Sequence, residues 1–181
     1  MLRIEIPISP EGWDEKKQMF VEPKNQTLQL EHSLVSLSKW ESKYCKPFLS
    51  TKDKTYEESL DYIKFMTLNP SVNPEVYEHI TMANVKAINE YIDAPMTATT
   101  FNNDQNAKRS REIVTAELIY YWMIALNIPF ECQKWHLNRL LTLIRVCNIK
   151  NTPPKKMNKR EIASRNARLN AARRQQLNSK G

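Results

Sequence analysis

Glycine is almost missing from this chain: of 181 residues, only Gly12 and Gly181 are glycine. Phosphate-cradling loops and dinucleotide-binding turns need several glycines where backbone must approach phosphate, so both classes are excluded. The same scarcity disfavours a fold built on many tight turns and favours helices joined at Pro, Asn and Ser. Cysteine is scarce too. Cys45, Cys132 and Cys147 are odd in number and unpatterned in spacing, which fits reduced thiols in a cytosolic compartment. The start "MLRIEIPISP" has no basic segment followed by an apolar run, so no signal peptide is expected. A membrane span is not expected either. The densest apolar stretch, "LIYYWMIALNIPFECQKWHLNRLLTLIRVC" (118–147), has thirteen residues between Glu117 and Glu131, Asn127 and Pro129 among them. Roughly 20 are needed to cross a bilayer. A run that short and that apolar is a core helix.

What is present is a real core and an uneven charge. Hydrophobic residues make up 41% of the chain, enough for one domain. Residues 155–181 hold nine Lys/Arg against Glu161 alone, a net of +8. Taken from totals of 27 and 20, these leave 18 basic and 19 acidic residues over 1–154, a net of −1. The expected organisation is one nearly neutral body (1–154) followed by a basic tail (155–181).

The first 32 residues read as β. Leu2, Ile4, Ile6 and Ile8 alternate with Arg3, Glu5 and Pro7, the period of a half-buried strand. Residues 19–21 and 27–32 supply two more short strands around a turn at 22–26, giving a small antiparallel sheet. From 33 to about 150 the pattern is helical. Ser33 caps a helix whose inner face holds Leu34, Leu37, Trp40 or Glu41, and Tyr44. Thr55 and Glu58 form a capping box ahead of Leu60, Ile63 and Met66. A turn of helix follows Pro74, and Thr81 caps a helix that ends before Pro95. Residues 94–109 are polar and aperiodic, a long exposed loop. Ser110 is expected to cap a helix over about 111–126; "NIPF" breaks it, and a second helix follows over about 131–147. The two form a central helical hairpin. In the second, Leu137, Leu140, Leu141, Ile144 and Cys147 share one face, and Lys134, Asn138, Thr142 and Arg145 the other. "NTPP" ends it, and Asn158 with Glu161 occupy capping positions for a basic last helix. The expected fold is α+β, mainly α-helical.

Candidates for chemistry are few. Cys132 and His136 lie four apart on the expected second helix, but Cys147 lies about 16 Å beyond His136 at 1.5 Å per residue. No single ion reaches all three, and a two-ligand pair is a weak zinc signal. As a nucleophile and base the pair lacks an obvious oxyanion donor and, Glu131 apart, an orienting carboxylate. Glu57, Glu58 and Asp61 sit at a helix start, where the dipole alone favours acids. His32 and His79 stand isolated. No catalytic residue, metal or cofactor is expected. Tyr120, Tyr121, Trp122 and Trp135 are more aromatic surface than two small helices usually pack. They are core, or in part a patch for a partner helix or a second copy. The tail carries Lys155, Lys156, Lys159, Arg160, Arg165, Arg168, Arg173 and Arg174, with Met157, Ile162, Leu169 and Leu177 as its large apolar residues. It reads as a solvated helix, a hook for an acidic protein, or a nucleic-acid contact. Without Phe, Trp or Tyr after Trp135, that last contact would be phosphate-led and salt-sensitive.

Two stretches carry a resemblance. "LEHSLVSLSKWESKYCKPFLS" (30–50) and "SREIVTAELIYYWMIALNIPFECQKWHLNRLLTLIRVC" (110–147) resemble small proteins of tailed bacteriophages and prophages, the tail assembly chaperones. The likeness runs along most of 28–160 and contains no catalytic signature. It implies a non-enzymatic assembly factor of the host cytoplasm. Its partner would be the tape measure protein, coated before tail-tube subunits polymerise around it, or another phage tail protein. A structural component of neck, tail or baseplate and a nucleic-acid-binding protein acting through the tail remain as alternatives.

Overall fold

The computed structural model describes residues 1–8, 12–14, 19–21, 25–101, 112–153 and 159–177. It is mainly helical with antiparallel strands at the N-terminus, the α+β class that the sequence pattern implies. Strand β1 (Leu2–Pro7) pairs antiparallel with β4 (Asn25–Leu30), Ile4 facing Leu28 and Leu2 facing Leu30. Ile4, Ile6, Leu28 and Leu30 are buried, so the two-residue alternation becomes one inner face. β2 (Gly12–Asp14) pairs with β3 (Met19–Val21) in a separate ribbon, so the strands form two pairs where one sheet was expected. β2 is three residues long, too short for its alternation to show.

Four helices follow, each opened by a side-chain cap. Ser33 and Ser36 cap each other's backbone at the start of α1 (Leu34–Tyr44), and Thr55 with Glu58 does so for α2 (Tyr56–Met66). After a 3-10 turn over Pro74–His79, Thr81 caps α3 (Met82–Asp93). Helix α4 is Ala116–Ala125, capped by Thr115. That start corrects the expected one near 111. Ile113, Val114 and Thr115 are β-branched and resist helix, while Glu41 supplies a better anchor. Buried on α1, its carboxylate accepts from Phe48 N (2.7 Å) and from Ala116 N (2.7 Å), the first amide of α4. Ser110 and Arg111 lie outside the described residues.

The expected second helix also starts late. Phe130–Lys134 is a 3-10 turn, Trp135 is extended, and α5 begins only at Leu137, running to Asn151. Tertiary bonding explains the break. His136 forms an antiparallel bridge with Ser33, and Leu137 N donates to His32 O at 2.7 Å, so this backbone serves the end of β4. The link between α4 and α5 is therefore no tight hairpin turn, and both α4 and the 3-10 turn pack on α1. Leu137, Leu140 and Ile144 are buried as expected, whereas Leu141 and Cys147 are half-buried. Asn138, expected on the solvent face, donates from Nδ2 to Ile92 O and Ala94 O, both at 2.9 Å, and so closes the end of α3 onto α5.

Two compact units result, Met1–Asn148 and Ile149–Gly181. The second contains α6 (Lys159–Leu177), whose described side chains are exposed. The cap expected at Asn158 lies outside the described residues.

Burial separates two neighbouring leucines. Leu140→Ala should cost about 2–5 kcal/mol, the range for a fully buried leucine, and Leu141→Ala clearly less, measured by urea unfolding. Equal costs would contradict this packing.

Candidate functional site

Of the four aromatic residues singled out in sequence, three face inward. Trp122 and Trp135 pack in part against the core, and the Arg139 guanidinium lies 4.2 Å over the Trp135 ring. Tyr120 is half-buried and donates from its hydroxyl to Gln133 Oε1 at 2.9 Å. Tyr121 stands out, 63% exposed. Helix α4 buries Ala116, Ile119 and Met123 and turns the face of Tyr121 outward with Ile124, 61% exposed and three residues on. Phe130, 52% exposed in the 3-10 turn, has its ring 6.5 Å from that of Tyr120 on α4. Ile124 and Phe130 escaped the sequence reading because an all-apolar helix hides which face is free, and because "NIPF" reads as a breaker.

The expectation that His32 stands isolated fails. His32 is buried, shares a 2.5 Å hydrogen bond through Nδ1 with the Tyr62 hydroxyl, and lies edge-on to His136 at 5.1 Å. His136 is also buried. Its Nε2 donates to Tyr91 O (3.0 Å) and its Nδ1 accepts from Asn138 N (3.3 Å), a pairing that requires the neutral ring. Tyr91 OH donates to Glu31 Oε1 at 2.6 Å, and the N-terminal ammonium of Met1 sits 2.9 Å from Glu31 Oε2. Burial first, and the neighbouring His136 second, hold His32 down to about 3. Burial lowers His136 as well, against the opposing Tyr91 carbonyl. His79 is exposed at the end of its turn.

Cys132 is buried in the 3-10 turn and His136 lies beyond the extended Trp135, so they do not share a helix face as expected. Burial pushes the Cys132 thiol up, the opposite of what an activated thiolate needs.

The acids of α2 do more than answer a helix dipole. Glu57 is exposed, but Glu58 and Asp61 are buried between α1 and α2. Glu58 takes Lys46 at 2.6 Å and the Thr55 amide at 2.9 Å. Asp61 accepts from Lys43, from Tyr44 OH at 2.7 Å and from Lys64 at 3.0 Å. Burial raises the Asp61 carboxyl, but these three donors outweigh it and hold it at about 2. Trp40, fully buried beside them, donates from Nε1 to Glu58 O at 2.8 Å.

Every buried polar side-chain atom among the described residues has a partner. These clusters join one element to another. Among the described residues no group of three or more His, Cys, Asp or Glu is placed to hold a metal ion, and no helix is long and apolar enough to cross a membrane. Comparison with family models, curated proteins and solved structures yields no match for this chain. Among the described residues, two features stand out as surfaces for recognition: the exposed apolar side chains of Tyr121, Ile124 and Phe130, and α6. On α6, Lys159, Arg160, Arg165, Arg168, Arg173 and Arg174 are exposed; Lys155 and Lys156 lie outside the described residues.

The histidine pair makes stability depend on pH. Both rings are lowered in the fold, whereas an unfolded histidine titrates near 6.5. Below that pH the unfolded chain binds protons that the fold refuses, so stability is full above about 6.5 and falls beneath it; His32, held down to about 3, contributes a fall approaching about 1.4 kcal/mol per pH unit, and His136 adds in the same direction. Asp61 acts in its own window, contributing above its unfolded value near 3.9 and losing this as pH falls toward about 2. The urea midpoint should therefore drop between pH 7.5 and 5.0, and less steeply in His32→Gln. A flat midpoint would contradict the buried neutral pair.

Proposed function

We propose that this protein is a non-enzymatic tail assembly chaperone of a tailed bacteriophage. In the host cytoplasm it binds the tape measure protein, or another phage tail protein, during tail morphogenesis. The observation that carries the reading is the apolar patch of Tyr121, Ile124 and Phe130, held outward on a body whose own buried polar groups are already matched. Apolar side chains one helical turn apart suit an amphipathic helix laid across them, and a tape measure protein is a long series of such helices. Tyrosine with flanking aliphatic groups is a common centre for such contacts. The resemblance over 30–50 and 110–147 supports the same partner, since the second stretch contains the patch.

A tape measure fragment expressed alone should precipitate, and expressed with this protein should stay soluble and co-purify. Tyr121→Ser with Ile124→Ser should weaken that complex at least tenfold, or about 1.4 kcal/mol, while leaving the unfolding transition of the body in place. Equal solubility of the fragment with and without the protein would end the chaperone reading.

A further inference from the structure

We propose that α6 is a binding site for duplex nucleic acid, which it contacts through phosphates on both sides of a groove. The inference stands apart from the chaperone reading, because it concerns the second unit and none of the residues of the apolar patch.

Three observations carry it. The first is the placing of the charges. Helix α6 has six basic residues and one acid, Glu161, a net of +5 over 19 residues. At about 100° per residue, Arg173, Lys159, Arg174, Arg160, Arg168 and Arg165 follow one another around the axis with no empty sector wider than about 80°. An acidic protein surface meets one side of a helix, and cations on the far side would gain nothing from it. A groove flanked by two phosphate rows uses several sides at once.

The second is the lack of an apolar face. Ile162 and Leu169 lie within about 20° of one another and Leu177 about 60° from Ile162, but Arg173 and Asn166 fall in the arc between Ile162 and Leu177. Docking on a protein or resting on a lipid surface calls for a stripe of about 100° or more. Helix α6 is polar nearly all round, and its described side chains are all exposed.

The third is shape. Between the basic residues stand Ala163, Ala167, Ala171 and Ala172 with Asn166, Asn170, Gln175 and Gln176, all small or amide-bearing. At 1.5 Å per residue the helix is about 28 Å long and 10–12 Å across, the width that a B-form major groove of about 12 Å admits. Arginine, five of the six cations, forms paired bonds to phosphate and to guanine edges. No aromatic residue is present for stacking on single strands.

The test is fluorescence anisotropy of a labelled mixed-sequence DNA duplex of about 25 base pairs, titrated with the full-length chain at several salt concentrations. The duplex should bind, with a slope of log K against log salt reaching about −5 for six phosphate contacts. The triple variant Arg168→Gln, Arg173→Gln, Arg174→Gln should roughly halve that slope and weaken binding at least about tenfold at low salt. Ile162→Ala with Leu169→Ala should leave it unchanged. Far-UV circular dichroism of each variant must match the parent. The proposal is overturned by absence of binding at about 50 mM salt, by a triple variant that binds as the parent does, or by tighter binding to single-stranded DNA. Poly-glutamate or anionic vesicles competing as well as unlabelled duplex would also overturn it, since either would make α6 a general polyanion contact.

Discussion

Helices α1, α2, α3 and α5 and the start of β1 converge on three residues, Glu31, His32 and Ser33, where β4 gives way to α1. Their backbone and side chains are claimed from five directions. Glu31 N donates to Met66 O at the end of α2, and Leu137 N donates to His32 O at the start of α5. Ser33 bridges to His136, and Ser36 from α1 returns a bond to Glu31 O. Tyr91 from α3 and the chain's own N-terminus meet on the Glu31 carboxylate. Buried backbone groups must be paired, so a junction that satisfies several elements at once sets their mutual positions more firmly than apolar packing alone. Glu41 does the same for α4, gripping its first amide as well as the backbone at Phe48.

These two joints mark where sequence reasoning succeeded and where it failed. Local signals were readable. Ser33, Thr55 and Thr81 cap helices as their side chains dictate, the 2–8 alternation forms a strand, and Leu34, Leu37 and Trp40 point inward. Long-range bonding was not readable. No pattern near residue 116 announces that a glutamate 75 positions earlier will hold that amide. Nothing around Trp135 says that its neighbour will join the end of a strand a hundred residues away. The same blindness made His32 look isolated, since its partners Tyr62 and His136 come from other elements. The aromatic cluster was legible as a group, yet which of its members faces solvent depended on how α4 docks on α1. Tyr121 was named with the rest, while Ile124 and Phe130 needed the fold.

The physical character of the molecule follows from the same accounting. Its buried charges are spent internally: Asp61 on Lys43, Tyr44 and Lys64, Glu58 on Lys46, and Glu41 on two amides. Such pairs are costly to break and specify one arrangement. In the first unit α4 presents the exposed side chains of Tyr121 and Ile124. The second unit differs in kind, a cationic helix with little apolar surface of its own.

The central claim is that the α4 face receives a protein helix. Amide hydrogen exchange on the full chain, with and without a solubilised tape measure fragment, tests it most directly. The account predicts that exchange slows across 116–135 on binding, with the β1–β4 pair and α6 unchanged. Protection confined to α6, or no protection within 116–135 despite complex formation, would contradict it.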